Sequence, residues 1–136
     1  MGKEGFKELV VWQKAKDLAA LVYQLSDSGP ISRDFALRDQ VRRSAVSIAS
    51  NLAEGDERNT DGESVRFFRI AKGSVAELRT QLQIAVEIGR LEKATHDDLE
   101  FECDRLGKMI GSLIRARTSR PLPLASRPGK GMKKKN

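Results

Sequence analysis

The chain has 136 residues, of which 39% are hydrophobic, 32% are charged and 5% are aromatic. This length suits one domain with a single core, and no apolar run approaches the roughly 18 residues that a membrane-spanning helix needs. The first residues, MGKEGFKELVVW, lack the pattern of a signal peptide. Because the single cysteine, Cys103, has no internal disulfide partner, we expect a reducing, cytoplasmic environment and no membrane association.

The net charge of +6 is unevenly distributed along the chain. Residues 118–136 contain six basic side chains and no acidic one. Subtracting these six from the total of 25 leaves 19 basic against 19 acidic side chains in residues 1–117. The C-terminal segment contains prolines and has little to bury, so we expect it to be disordered. The sequence therefore predicts one neutral domain over residues 1–117 and a disordered, Pro/Lys-rich basic tail over residues 118–136.

Two amphipathic helices are predicted in the first half of the chain. Apolar residues recur at three- and four-residue spacings from residue 9 to about residue 26, and the Gly29-Pro30 pair ends this helix. Either Ser32 or Asp34 is a suitable cap for the second helix. The apolar stripe of the second helix consists of Leu37, Val41, Ala45, Ile48 and Leu52. Gly55 is expected just past its end.

A third helix opens at Thr60 and Glu63, which have the spacing of a capping box. One face carries apolar residues at heptad intervals up to Gly89, where the helix is expected to end. The pattern stays in phase across Gly73, which favours one continuous helix. A second apolar set on the adjoining face exceeds what one neighbouring helix would cover. This set comprises Phe67, Ile70, Ser74, Ile84 and Ile88.

A fourth helix is predicted from Thr95, with acidic first turns and basic last turns that suit the helix dipole. No segment shows the alternating pattern of a β-strand. Four amphipathic helices joined by short connections predict an all-α fold. The expected architecture is an antiparallel up-down-up-down four-helix bundle with a disordered basic C-terminal tail.

Side chains suited to catalysis are few. The only histidine, His96, lies at the start of the fourth helix, and a zinc site would need further His or Cys ligands at suitable spacing. We interpret His96 as solvent-exposed and Cys103 as a structural thiol, buried or half-buried, rather than a nucleophile. The sequence contains neither the nucleotide-binding P-loop motif G-x-x-x-x-G-K-[ST] nor the dinucleotide-binding motif G-x-G-x-x-G. The sequence thus predicts no enzyme, no catalytic residue, no cofactor and no metal site.

The second helix carries a polar ribbon next to its apolar stripe. The ribbon consists of Gln40, Ser44, Ser47, Asn51 and Glu54. Small serines allow close helix approach, and a half-buried asparagine must find hydrogen-bond partners. We interpret Ser44, Asn51 and Glu54 as structural, with Asn51 and Glu54 bridging this helix to its neighbours and fixing the turn into the third. A ligand or partner site is the alternative.

Basic side chains of the body have two interpretations. Acidic residues nearby favour a solvated, ion-paired face, whereas a phosphate-binding patch is the alternative. Because few aromatic residues are available to stack on bases, any nucleic-acid contact should be backbone-directed, salt-sensitive and weakly sequence-specific. The candidate nucleic-acid contacts are Arg38, Arg42, Arg43, Arg58, Arg66, Arg69, Lys72 and Arg79 in the body, and Lys133, Lys134 and Lys135 in the tail.

Two motifs give the chain a family resemblance. The segment S-I-x-x-N-x-A-E-G begins at Ser47, and the segment F-x-x-I-A-x-G-S-x-x-E-L begins at Phe67. With FKELVVWQKAKDLAALVYQL before them and TQLQIAVEIGRL after them, they resemble the four-helix-bundle family of 23S rRNA intervening-sequence proteins. The similar region covers about residues 6–115, which leaves the tail outside it.

The resemblance implies a small bacterial bundle without established enzymatic activity and with a largely undefined role. A related group, the accessory proteins of diversity-generating retroelements, forms basic ring-shaped pentamers that associate with a reverse transcriptase and nucleic acid. The resemblance therefore implies a homo-oligomer, with a pentamer favoured, in which the second apolar face of helix three contacts a neighbouring copy. The neutral body of this chain departs from those strongly basic proteins.

Together these features predict a non-catalytic, homo-oligomeric bundle that binds RNA or DNA through basic side chains and the tail, as an accessory or scaffold protein. A reverse transcriptase is the kind of protein partner that the resemblance implies. The alternative is a protein-interaction scaffold with no nucleic-acid role. Salt-dependent binding separates the two, because phosphate contacts weaken steeply as salt rises.

Overall fold

The computed structural model describes residues 5–119. These residues form an all-α four-helix bundle, and none of them lies in a β-strand, which confirms the predicted fold class. The helices are α1 (Val10–Leu25), α2 (Phe35–Asp56), α3 (Asp61–Glu87) and α4 (Lys93–Thr118), with 3₁₀ turns at Gly5–Glu8 and Pro30–Arg33. Most of the predicted tail, including Lys133, Lys134 and Lys135, lies outside the described residues, so its disorder stays a prediction.

Consecutive helices lie side by side and reverse direction at each short connection, and α4 packs back against α1. The register of α2 against α3 shows the reversal. Asp34, just before α2, pairs with Arg90, just after α3. Further along, the Oγ atoms of Ser47 in α2 and Ser74 in α3 lie 2.9 Å apart. The up-down-up-down order therefore follows from the connections and from these cross-helix contacts.

Aliphatic side chains from all four helices form the core, together with one phenylalanine. The largest completely buried side chains are Phe68, Ile48, Leu52, Leu78, Leu82, Leu99 and Ile110. Removing each such side chain from water stabilises the fold by about 1.5–3 kcal/mol before conformational entropy is considered. The predicted stripe of α2 is buried from Val41 to Leu52, whereas Leu37 packs at the edge of the core.

Two of the predicted helix starts are confirmed and one is wrong. The side chain of Asp34 accepts a hydrogen bond from the Leu37 amide at 3.2 Å and caps α2. Thr60 accepts one from the Glu63 amide at 3.2 Å and caps α3. By contrast, α4 begins at Lys93, two residues before Thr95, and no side chain caps it. Its cap position is occupied by Glu92, so local capping does not set this boundary.

Gly55 lies inside α2 rather than past its end, since the helix continues to Asp56. The prediction was wrong because the glycine serves packing. A Cβ at Gly55 would lie 2.6 Å from Cε1 of Phe68 and 3.0 Å from the Ser64 carbonyl oxygen. The missing side chain therefore lets α3 approach the backbone of α2 closely, and the Phe68 ring occupies the space.

The predicted continuity of α3 across Gly73 and its predicted end at Gly89 are confirmed, but no neighbouring backbone of the described residues approaches Gly73 closely. The helix runs without interruption through Gly73, and no heavy atom lies within 4 Å of the position that its Cβ would take. Gly89 follows the helix end with φ of +78°, a conformation that glycine adopts at little cost. The Arg90 amide then donates to the Ala85 carbonyl at 2.8 Å, which satisfies one of the last carbonyls of the helix.

A buried ion pair joins the ends of α2 and α4. Arg117 donates from Nη2 to Oδ1 of Asp56 at 2.9 Å, and the exposed fractions of the two side chains are 16% and 7%. The Arg117 guanidinium also lies over the Phe68 ring, with Cζ 5.3 Å from its centroid. The pair therefore lies against the same ring that packs on Gly55.

We expect Asp34→Asn to lower the melting temperature at neutral pH but not at strongly acidic pH. The hydrogen bond from the Leu37 amide, followed by the one from Arg90, holds the pKa of Asp34 below its ordinary value of 3.8. A depressed carboxyl pKa stabilises the fold above 3.8, and this contribution is lost as pH falls through the lower folded-state pKa. Asparagine keeps the cap but carries no charge for Arg90.

Circular-dichroism melts of the wild type and Asp34→Asn over a pH series measure this effect. The difference in melting temperature should be constant near neutrality and should vanish below the folded-state pKa. A difference that persists unchanged into strong acid would show that the charge of Asp34 contributes nothing to stability.

Among residues 5–119, no helix combines the length and hydropathy that a bilayer span requires. The longest, α3, has 27 residues, but exposed charged side chains such as Arg66, Arg69 and Glu77 lie outside its buried apolar face. Its apolar side chains pack instead on α2 and α4.

Candidate nucleic-acid interface

The polar ribbon of α2 forms a hydrogen-bonded contact with α3. Ser47 Oγ lies 2.9 Å from Ser74 Oγ, and Asn51 Nδ2 donates to the Ser47 carbonyl at 2.9 Å and to Ser47 Oγ at 3.0 Å. Ser44 is buried beside them. Asn51 therefore orients Ser47 from within its own helix, and the direct link to α3 is made by Ser47. The predicted direct bridge by Asn51 is not the one observed.

The ion pair of Glu54 also lies within its own chain segment, because its exposed carboxylate pairs with Arg58 one turn later. Arg58 in turn lies over the Phe67 ring of α3, with Cζ 4.5 Å from the ring centroid. The link from Glu54 to the start of α3 thus passes through an arginine that stacks on an aromatic ring. Such an exposed ion pair contributes at most about 0.5 kcal/mol.

Arg42 is held by the end of α1 and is not available to a ligand. It donates to Ser26 Oγ at 2.7 Å and to Asp27 Oδ1 at 3.1 Å. It also lies over the Tyr23 ring, with Cζ 4.5 Å from the centroid. Only 17% of its side chain is exposed, so Arg42 is a structural connection between α1 and α2.

Arg38 and Arg79 are also paired. Arg38 binds Asp39 at 3.1 Å and lies over the Phe35 ring. Arg79 of α3 reaches α4, where its Nε lies 3.0 Å from Oε2 of Glu100 and a second guanidinium nitrogen binds the same oxygen. These hydrogen bonds raise the pKa of Arg79 above its ordinary value, so its positive charge is already matched.

The remaining candidates have no carboxylate within ion-pair distance in the described part of the chain. They are Arg43 on α2 and Arg66, Arg69 and Lys72 on α3. The three α3 residues are spaced by three, so neighbouring side chains of the set lie next to each other and span about 9 Å along the helix. Arg66 also lies over the Phe67 ring, with Cζ 4.7 Å from the centroid.

A fourth cation, Arg115 of α4, joins this set. A Cβ at Gly111 would lie 3.5 Å from Arg115 Nη1 and 3.8 Å from Lys72 Cε, so the two side chains approach each other above the glycine. Arg115 donates to Ser112 Oγ at 3.0 Å, and it forms no ion pair with a described residue. We call Arg66, Arg69, Lys72 and Arg115 the basic edge.

Sequence reasoning missed Arg115 and assigned it only to the helix dipole. The register of the antiparallel α3–α4 pair was the signal that could have found it. Arg79 of α3 lies opposite Glu100 of α4. Because the two helices are antiparallel, Lys72, which is seven residues before Arg79, lies opposite residues that follow Glu100 in α4. This register places Lys72 beside the last turns of α4, and Arg115 lies there.

The groups with catalytic potential are buried. His96 was predicted to be exposed, but only 6% of the residue is accessible, because positions 96, 99 and 103 form one inward stripe of α4. Its Nδ1 lies 3.1 Å from Asp97 Oδ1. Cys103 is completely buried, and burial raises the pKa of its thiol to about 12, which leaves no nucleophilic thiolate near neutral pH.

No group of three or more His, Cys, Asp or Glu side chains within residues 5–119 is arranged to hold a metal ion. The acidic first turns of α4 are partly neutralised by lysines one turn away. Lys93 pairs with Asp97 at 2.7 Å, and Lys108 pairs with Asp104 at 3.1 Å. Local ion pairing therefore accounts for these carboxylates.

The second apolar face of α3 remains partly uncovered. Ile70, Ile84 and Ile88 are exposed by 44%, 46% and 48%, whereas Ser74 is buried against α2. We call the three isoleucines the α3 stripe. The stripe spans about 27 Å from the first to the last isoleucine, with the polar residues Glu77 and Gln81 between Ile70 and Ile84. Ile84 and Ile88 lie one turn apart and form an exposed apolar pair.

Comparisons with known proteins agree with this architecture. Among solved structures, the chain is similar to a protein of unknown function from the S23 ribosomal protein family of Bacteroides thetaiotaomicron, with a TM-score of 0.72 and 18% identity. The alignment covers 78% of this chain and 99% of that one, and at such identity it shows the fold alone. No curated protein matches the chain at a significant level.

A family model described as "23S rRNA-intervening sequence protein" matches residues 7–112. The match runs from the turn before α1 into the last third of α4, and it confirms the resemblance carried by the segments that begin at Ser47 and Phe67. Neither description names a catalytic activity. Since the matched region includes both segments and most of all four helices, the chain belongs to the 23S rRNA-intervening sequence protein family.

Proposed function

We propose that this protein is a non-catalytic, homo-oligomeric bundle that binds the phosphate backbone of RNA or DNA as an accessory or scaffold protein. The observation that carries the proposal is the basic edge, where cations of two helices lie together without carboxylate partners. Elsewhere in the described residues, most of the candidate arginines are used in ion pairs. We propose the six basic residues of the tail as additional phosphate contacts.

Contacts with phosphates rather than bases are supported by the state of the aromatic side chains. Tyr23, Phe35 and Phe101 are the exposed aromatics of the described residues. Each has an arginine guanidinium over its ring, so it is not a free platform for a base. Binding without base stacking is weakly sequence-specific and strongly salt-dependent.

The binding proposal is tested by measuring RNA and DNA affinity against salt for the full-length chain and for a truncation after Arg117. Phosphate contacts predict that the logarithm of affinity falls linearly with the logarithm of salt. Binding by both forms, with a smaller slope for the truncation, supports a role for the basic edge. Absence of binding by both forms at low salt overturns the proposal, and binding by the full-length chain alone assigns it to the tail.

The homo-oligomer rests on the α3 stripe, which a second copy would remove from water. We propose a pentamer, as the family resemblance implies, acting in the bacterial cytoplasm with a protein partner such as a reverse transcriptase. Light scattering tests the assembly, because a pentamer has five times the chain mass of 15.1 kDa. A monomer at all micromolar concentrations contradicts it.

Variants of the stripe make the assembly test specific. Ile84→Glu combined with Ile88→Glu should shift the protein to smaller species. Phe101→Glu is the matched control, because Phe101 is similarly exposed but lies on α4. An oligomer that survives the double change uses another surface. An oligomer that binds no nucleic acid favours the second candidate function, a protein-interaction scaffold, which the α3 stripe also supports.

A further inference from the structure

At Gly111 the seam between α3 and α4 carries no side chain, and we call this position the notch. Along the seam, Arg79 faces Glu100, and a Cβ at Gly107 would lie 3.8 Å from a methyl group of Val75. One turn further along α4, Gly111 has no side chain of its own, and the side chains of Lys72 and Arg115 lie over it. The rims of the notch are Lys72 Cε and Arg115 Nη1, at 3.8 Å and 3.5 Å from the position of a Cβ.

The two cations at the notch keep most of their hydrogen-bonding capacity. An ammonium group has three donors and a guanidinium has five, and in the described residues only Ser112 takes a donor from Arg115. Asp104, the acid nearest in sequence on this side of α4, is paired with Lys108. Two cationic side chains thus lie close to the same uncharged glycine, which raises the local positive potential and favours an anion.

Further along the seam, Arg79 has the carboxylate partner that Lys72 lacks. Arg79 crosses from α3 to α4, where its Nε donates to both oxygens of the Glu100 carboxylate, at 3.2 Å and 3.0 Å. At Lys72 the corresponding position of α4 holds Gly111, so the cation has no partner. Gly111 lies two turns before Thr118, whereas Arg115 lies in the last turn of α4, where the negative end of the helix dipole stabilises its positive charge.

We propose that Lys72, Gly111 and Arg115 form a seat for one phosphodiester group of a nucleic-acid strand. Lys72 Nζ and the Arg115 guanidinium donate to the two non-bridging oxygens, and Gly111 gives the phosphate room to approach the helix. Arg69 and Arg66 continue the track along α3 for the phosphates that follow. This inference rests on the proposed nucleic-acid function and names the place where the strand is held.

The test uses Gly111→Asp and Gly111→Asn in the full-length chain. A Cβ at Gly111 has ordinary contact distances, and the two side chains are nearly isosteric, so the charge is the main difference between the variants. The aspartate occupies the seat as an internal anion. We expect Gly111→Asp to bind a mixed-sequence single-stranded RNA roughly tenfold more weakly than Gly111→Asn at low salt, with a log–log salt slope smaller by about 0.7 for each neutralised cation.

A control variant adds the same charge elsewhere. Ala20→Asp lies on the exposed face of α1, away from α3, and should bind RNA with the wild-type salt slope. Melting curves of all variants show whether each is folded at the binding temperature. Equal affinities and slopes for the two Gly111 variants, while the wild type binds, overturn the seat and leave the proposed function standing. A wild type that binds no strand overturns both.

Binding to vesicles that contain anionic lipid, and separately to inorganic pyrophosphate, shows whether the notch recognises phosphate groups other than those of a nucleic acid. Discrimination between the Asp and Asn variants for RNA but not for vesicles supports the seat as proposed. If the two variants differ only toward vesicles or pyrophosphate, the notch is a phosphate site of another kind and the assignment to a nucleic-acid strand is wrong.

Discussion

Asp56→Ala is expected to lower the free energy of unfolding by about 3 kcal/mol, because it leaves Arg117 buried without its partner. The exposed fractions of 7% for Asp56 and 16% for Arg117 mean that water cannot fully replace the lost carboxylate. This loss of unfolding free energy is at the lower end of the range for broken buried ion pairs, since the Arg117 guanidinium lies in the last turn of α4 and can turn towards solvent. Urea denaturation followed by circular dichroism measures it.

Two controls separate the ion pair from local helix effects. Glu54→Ala removes a carboxylate of the same helix end whose pair with Arg58 is exposed, and should change stability by less than about 0.5 kcal/mol. Combining Asp56→Ala with Arg117→Met should cost less than the sum of the single changes, because no unpaired charge remains. Additive losses would show that the two side chains do not stabilise the fold as a pair.

Gly55→Ala is expected to destabilise the protein by about 2 kcal/mol, the range of overpacking. The added methyl group would lie 2.6 Å and 2.8 Å from two carbons of the Phe68 ring and 3.0 Å from the Ser64 carbonyl oxygen. The ring is completely buried, and the carbonyl belongs to the α3 backbone, so neither can move without displacing α3. Thermal and urea denaturation of the variant test this.

Gly73→Ala is the matched control, because Gly73 also lies within a helix and no atom would contact its Cβ. Alanine there should stabilise the protein by up to about 1 kcal/mol through helix propensity. The two glycine changes therefore differ in sign. If Gly55→Ala stabilised the protein as much as Gly73→Ala, the close approach of α2 and α3 at Gly55 would be refuted.

Much of the fold follows from sequence periodicity, and the errors lie where tertiary contacts decide. The spacing of apolar residues predicts four helices, and Asp34 and Thr60 are recognisable as caps. Gly55 has the local pattern of a helix end, but its actual role depends on Phe68, which is distant in sequence. His96 was misassigned because the start of α4 was placed at Thr95, whereas the stripe already includes position 96.

The candidate site was predictable only in part, for a similar reason. Arg66, Arg69 and Lys72 form a visible basic run within one helix, and the sequence identifies it. Which arginines are neutralised depends on partners in other helices, such as Glu100 for Arg79. The inclusion of Arg115 likewise depends on the register between α3 and α4. Cross-helix contacts of this kind are not encoded in a local spacing rule.

The two segments that carry the family resemblance contact each other. Ser47 of the first segment bonds Ser74 of the second, and Gly55 packs against Phe68. Asn51 orients Ser47. These residues therefore set the packing of α2 on α3, and none of them belongs to the basic edge. The fixed positions of the family motif thus include residues that pack α2 on α3, whereas the proposed binding residues Arg69 and Lys72 occupy variable positions of the second segment and Arg66 and Arg115 lie outside it.

The central claim is that the basic edge of the body binds nucleic-acid phosphates. The most direct measurement is the salt slope of RNA affinity for the wild type, for Arg66→Gln/Arg69→Gln/Lys72→Gln, and for the equally charged control Lys14→Gln/Lys16→Gln/Arg105→Gln. The control residues are exposed and lie on α1 and α4. The basic edge predicts a slope reduced by about 2 in the first triple variant and unchanged in the control. Equal slopes in the two triple variants would contradict the claim.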